Sequence, residues 1–159
     1  MSFQKSFQIS SLPSSRFQHL FGLSDEALRA QGVIASTAKA KPGYPCRVTL
    51  TDAEPGTRML LLNYEHQDAD TPYRSSHAIY VIDGAEEADL QPGEIPDQMR
   101  SRLLSVRAFS NEGMMLDADV VEGEKAGEAF ERMLRNKKVG YLHAHFAKFG
   151  CYAARVDRV

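Results

Sequence analysis

Val139-Gly140-Tyr141-Leu142-His143-Ala144-His145-Phe146 alternates along most of its length. Read as a strand over 139–146, the period of two puts Tyr141, His143 and His145 on one face and Leu142, Ala144 and Phe146 on the other. A strand with an apolar face and a face of imidazoles and phenol is either half-solvated or lines a polar pocket. The next residues, Ala147-Lys148-Phe149-Gly150, make a short Gly-ended link into a second strand over 151–156, so the pair reads as a hairpin.

Upstream of the hairpin the pattern changes period. Ala126, Ala129, Phe130, Met133 and Leu134 form an apolar stripe at helical spacing, which predicts a helix over 124–136. From 33 to 121 β signals dominate, with candidate strands at 35–40, 46–51, 58–64, 77–82, 105–110 and 114–121. Lys41-Pro42-Gly43, Glu54-Pro55-Gly56, Asp83-Gly84 and Asn111-Glu112-Gly113 separate them. Leu60, Leu61 and Leu62 fill both faces of the third of these, which implies a central strand. Met99 and Leu103 mark a short helix after Pro96. Residues 1–32 read as a lead-in with helical turns around Phe17, Leu20 and Phe21, then a helix capped by Ser24 and stopped by Gly32. The echo of Ser-Phe-Gln at 2–4 and 6–8 is too short for a structural repeat. No linker divides the chain, so 1–159 reads as one α+β domain. Its expected architecture is a largely antiparallel sheet or open barrel of about 7–8 strands with a few helices on one face or end.

The bulk numbers exclude several classes of function. An apolar content of 43 % with 25 % charged residues is that of a globular protein. The net charge of −2 carries no footprint for nucleic acid. The longest apolar runs, 59–62 and 78–82, are far too short to span a bilayer, and the first residues lack the apolar core of a secretory signal. Two cysteines, Cys46 and Cys151, are too few for a disulfide framework. The expectation is a soluble cytoplasmic protein with reduced thiols.

Four of the five histidines fall in two segments, one around Tyr64-Glu65-His66 and Tyr73-Arg74-Ser75-Ser76-His77, the other at 143–145. Two imidazoles two apart on one strand face can share a divalent transition metal, with His66, His77 or Glu65 completing the set; the metal set considered first is His143, His145 and His66. His77, His143 and His145 are the candidates for acid/base catalysis, since imidazole already titrates near neutrality. Tyr73, Arg74, Ser75 and Tyr141 are the candidate ligand-binding residues. Arg74 would fork onto a carboxylate or phosphate of a small anionic ligand, and the hydroxyls would complete its shell. The plainer reading ties Arg74 to a local acid such as Asp68 or Asp70. Asp117 and Asp119 share a strand face and read as salt-bridge partners of Arg102, Arg107 or Arg155, and Cys151 lies near the histidine pair.

Pro45-Cys46-Arg47-Val48, Glu54-Pro55-Gly56, Leu61-Leu62-Asn63-Tyr64-Glu65-His66, Pro72-Tyr73-Arg74, Ala118-Asp119-Val120-Val121 and Gly150-Cys151-Tyr152-Ala153-Ala154-Arg155-Val156 together resemble a bacterial family known as domain of unknown function 1203. The likeness runs over residues 6 to 158. It implies a small single-domain cytoplasmic protein and transfers no catalytic residue. Two functions therefore stand side by side. One is a small-molecule enzyme or ligand-binding protein whose His/Arg/Tyr pocket takes an anionic metabolite, with or without a metal. The other is a non-catalytic structural or interaction module in which the same residues form a polar sheet face or a homodimer seam.

Overall fold

The computed structural model describes residues 6–159, so the first copy of the Ser-Phe-Gln echo lies outside the described residues. The fold is α+β, with eight strands among the described residues in two antiparallel sheets, neither closed into a barrel there. The elements run β1 (Phe7–Ser10), α1 (Asp25–Ala30), β2 (Ile34–Thr37), β3 (Arg58–Gln67), β4 (Ser75–Ile82), α2 (Asp97–Arg100), β5 (Leu103–Phe109), β6 (Met115–Glu122), α3 (Ala126–Leu134), β7 (Tyr141–Phe146) and β8 (Tyr152–Arg158). No helix among the described residues is long and apolar enough to cross a membrane. The chain forms two compact units from interleaved segments. The first comprises residues 6–10, Glu65–Ser75 and Asp89–Val159; the second comprises Ser11–Tyr64 and Ser76–Ala88.

The first unit is built on a five-stranded sheet in the order β1-β8-β7-β5-β6. Cross-strand partners share a face, so the register sorts the side chains. Leu142 pairs with Val156 and Ala108, Ala144 with Ala154 and Val106, Phe146 with Leu104, and Ile9 with Val156. These residues are all buried. α3 supplies the apolar stripe read from the sequence, and its five residues are all buried. Phe130 meets Phe7 edge-on at 5.2 Å between ring centroids. The C-terminal carbonyls of this helix are capped from the sheet: Arg158 donates to Leu134 O at 2.8 and 3.0 Å and to Asn136 O at 2.9 Å. A three-residue turn of 3-10 helix at Gly123–Lys125 precedes α3, shortening the helix expected over 124–136. Gly123 is required there, because a Cβ would lie 1.9 Å from Met99 O.

The second unit holds the sheet β2-β3-β4, with β3 central as its leucine run implies. β2 pairs antiparallel to β3, from Ile34 opposite Leu61 to Thr37 opposite Arg58. Ser24 caps α1 by accepting from Ala27 N at 3.1 Å. Arg58 ties the unit together through Asp83 at 3.2 Å and Asp25 at 2.9 Å.

Three expectations need correction. Residues 7–10, assigned to a helical lead-in, form β1 on β8; the helical turns begin later, at Ser14–Arg16 and Gln18–Leu20. The run 46–51 is not a strand. Its composition suits one, but Cys46 Sγ accepts from Thr49 N at 3.4 Å and from Ile82 N at 3.3 Å, while Leu50 N returns to Cys46 O at 3.1 Å and Leu50 takes a φ of 56°. Local bonds of this kind compete with ladder pairing. β7 starts at Tyr141 rather than 139, because Gly140 packs against Asn111 and donates to Phe109 O at 2.7 Å.

Candidate functional site

The face of the five-stranded sheet opposite α3 is polar. His143 is flanked by Arg107 on β5 and Arg155 on β8, and His145 lies opposite Ser105 and Tyr152. Both histidines are nonetheless buried, His145 completely. The burial reflects aromatic packing: Phe109 lies 5.1 Å from His143 and stacks on Tyr141 at 5.5 Å, and Tyr152 meets the rings of His143 and His145 edge-on at 5.1 and 5.8 Å.

A third imidazole joins from the end of β3. His66 stacks almost parallel on Tyr152, 5.4 Å between centroids and 6° between planes. It stands edge-on to His145 at 4.8 Å and to His143 at 6.1 Å, while His143 and His145 are 6.4 Å apart. A ring nitrogen of His66 and one of His145 lie within 4.8 Å of each other. The neighbouring Gln67 is buried and anchors the strand end, donating to the Tyr141 hydroxyl at 2.9 Å and accepting from Ala69 N at 3.2 Å.

The tautomer of His145 follows from its partner. Nδ1 lies 3.0 Å from Gly150 O, and a carbonyl oxygen only accepts, so Nδ1 carries the proton and Nε2 the lone pair. His143 Nδ1 is buried without a hydrogen-bond partner among the described residues. Burial pushes the His143 pKa from 6.5 down to about 3, and the electrostatic influence of His66, Arg155 and Arg107 lowers it further. For His145 burial again dominates and the pKa falls to about 3; the bond to Gly150 opposes the shift, while Arg107, His66 and His143 add to it. Both rings are therefore neutral at physiological pH, the form that binds a metal.

The loop candidates behave differently. Arg74 is exposed and forks onto Glu65, Nε to Oε2 at 3.2 Å and Nη2 to Oε1 at 3.3 Å, so the local acid that holds it is Glu65 rather than Asp68 or Asp70. Tyr73 reaches Phe109 edge-on at 6.5 Å, and the Ser75 hydroxyl donates to Tyr73 O at 3.1 Å. Thr71 Oγ1 fastens the loop to Gly113 O at 3.1 Å. The first unit thus brings His66, His143, His145 and Tyr141 together, with Tyr73, Arg74 and Ser75 on a bonded loop. His77 lies half-buried on β4 in the second unit.

Sequence reasoning missed Tyr152 as the platform under His66 and Gly150 as the carbonyl that sets His145. By sequence Arg107 and Arg155 read only as partners for acids. Arg155 does have one, forking onto Asp157 at 3.0 and 3.1 Å, and its guanidinium lies 4.3 Å above the Tyr141 ring. Asp119 instead pairs with Arg132 of α3 at 2.8 Å. Cys46 is buried and Cys151 half-buried, and neither forms a disulfide.

No curated protein and no solved structure matches this chain. One family profile does, over residues 43–158, a span that holds all three clustered histidines, the loop between β3 and β4, and both arginines flanking His143. The chain belongs to the family described as protein of unknown function (DUF1203).

Proposed function

We propose that the first unit binds a divalent transition metal through His66 and His145, with His143 as the third imidazole, and that the ion acts on a small ligand. The observation carrying this reading is the pairing of an oriented His145 with the His66 ring 4.8 Å away. A histidine whose Nδ1–H is held by a backbone carbonyl presents Nε2 as a ligand atom with its direction fixed in advance. Imidazole nitrogen donors suit zinc and its first-row neighbours and do not suit magnesium or calcium, which take oxygen. Supplied with such donors, the ion would act as a Lewis acid or activate a bound water.

The experiment starts from protein purified without an affinity tag, stripped with a chelator and titrated with zinc or cobalt. One ion per chain is expected, with cobalt giving the visible absorption of a nitrogen-ligated site. His66→Ala and His145→Ala should each weaken binding by about tenfold or more, in the range that loss of a ligand or its support produces, and His143→Ala should weaken it as well. No ion retained at any loading, or unchanged affinity in the His66→Ala/His145→Ala double variant, overturns the proposal.

The flat stacking of His66 on Tyr152 favours one competing reading, in which the imidazoles are packing groups of a non-catalytic module. Under that reading the same variants lower stability and leave metal uptake at the level of a control protein.

A further inference from the structure

The two arginines beside His143 occupy equivalent places in the sheet and differ in one respect. Arg155 on β8 is neutralised by the bidentate Asp157 and rests on Tyr141. Arg107 on β5 is half-buried, and no carboxylate pairs with it among the described residues. Its hydrogen bond runs from Nε to the Ser105 hydroxyl at 3.3 Å, two residues back on the same strand and face. A guanidinium carries five N–H donors, so that bond leaves both Nη groups available. Its neighbour on β6 is Ala118, exposed and too small to cover it.

Removing a cation from water without a counter-charge is costly, and proteins normally supply a carboxylate or a ligand anion. Desolvation indeed draws the Arg107 pKa downward, with no opposing acid. A planar fork, an adjacent hydroxyl and the buried, unpartnered Nδ1 of His143 across the ladder are together the groups that hold a small oxyanion.

We infer that Arg107 and Ser105 form a subsite for a small oxyanion, a carboxylate or phosphate group, on the polar face of the five-stranded sheet. The two residues that define the subsite, Arg107 and Ser105, are not among the proposed metal ligands, so it goes beyond that reading and is tested separately. If both hold, the anion docks beside the imidazole cluster, which makes a small carboxylic acid or phosphate ester the class of molecule acted upon.

The test is titration of the chelator-stripped full chain with inorganic phosphate and, separately, with acetate, followed by calorimetry and by histidine side-chain NMR. Binding of at least one probe at millimolar concentration is expected, with the His143 resonances shifting. Arg107→Gln should weaken it about tenfold or more, the size expected for loss of a charge-assisted hydrogen bond. Arg107→Lys keeps the charge without the fork and should fall in between; it also serves if the glutamine variant folds poorly. Arg74→Gln should bind the anion as the parent does, and Arg107→Gln should still take up metal. The inference is overturned if neither probe binds, or if Arg107→Gln and Arg107→Lys bind as tightly as the parent.

Discussion

Gly150 sits in the left-handed region, φ 77°, and from there turns its carbonyl to within 3.0 Å of His145 Nδ1. The same residue closes the β7–β8 turn by donating to Phe146 O at 2.7 Å. Turn geometry and imidazole orientation are therefore one device. Gly150→Ala should destabilise the chain by about 1–2 kcal/mol, the cost of placing a Cβ in the left-handed region. It should also weaken zinc binding through loss of the fixed Nε2. Denaturant unfolding and a zinc titration measure the two effects. A variant of native stability and native affinity would show that Gly150 orients nothing.

Acid should destabilise the metal-free protein through the buried imidazoles. Folded His143 and His145 have pKa values of about 3, against 6.5 for the free side chain. Above pH 6.5 both rings are neutral whether folded or unfolded, and the fold keeps its full stability. As pH falls from 6.5 toward 3, the unfolded chain takes up protons that the folded chain refuses, so stability drops. One such proton is worth about 1.4 kcal/mol per pH unit. In His143→Gln the slope of unfolding free energy between pH 4 and pH 6 should be shallower by nearly that amount. An unchanged slope would mean that His143 titrates normally in the folded protein.

How much of this the sequence announces depends on the range of each interaction. The apolar face Leu142, Ala144 and Phe146 and the α3 stripe are local patterns, and both are legible down to the buried residues, whereas the burial of His143 and His145 is not. The hairpin turn at 147–150 is legible too. Register is different. That Arg107 and Arg155 flank His143, and that His66 lands on Tyr152, depends on pairings between residues 12 to 86 positions apart. No periodicity within one strand encodes such a pairing. The alternation Ser105-Val106-Arg107-Ala108-Phe109 did place Arg107 and Ser105 on one face; missing was the knowledge of which strand lay alongside. Arg74 shows the converse error. Its acid is not on the loop but at Glu65, which faces it across the hairpin end.

Arg158 links the last strand to the end of α3. Its guanidinium spans the Leu134 and Asn136 carbonyls, groups with no partner inside the helix. Arg158→Ala should cost about 1–3 kcal/mol, as expected for charge-assisted bonds to backbone. Arg158→Lys recovers only part of it, because an ammonium cannot fork. The loss should appear as faster amide hydrogen exchange confined to the last turn of α3. Uniform loss of protection along the whole helix, or none, would count against a capping role.

β6 is one of the two edge strands of the five-stranded sheet, and it exposes Leu116 and Val120. An exposed apolar edge is an invitation to pair with another chain. Two acids on this strand blunt it: Asp117 Oδ1 accepts from Ala118 N and Asp119 Oδ1 from Val120 N, each at 2.8 Å. The outward backbone donors are thereby occupied by their own neighbours, and the strand carries negative charge where a second copy would have to dock. Asp119 is held further by Arg132, which keeps its carboxyl below the ordinary range and therefore charged. Removing both carboxylates in Asp117→Ala/Asp119→Ala frees two donors and discharges the edge. The double variant should associate in a concentration-dependent way through β6, read by sedimentation velocity and by protection of the β6 amides. Asp117→Asn/Asp119→Asn separates the two contributions, since it keeps an acceptor for each amide and loses only the charge. Association of the asparagine variant to the same extent would assign the protection to repulsion; a double alanine variant that sediments as the parent does would show that the edge needs no guard.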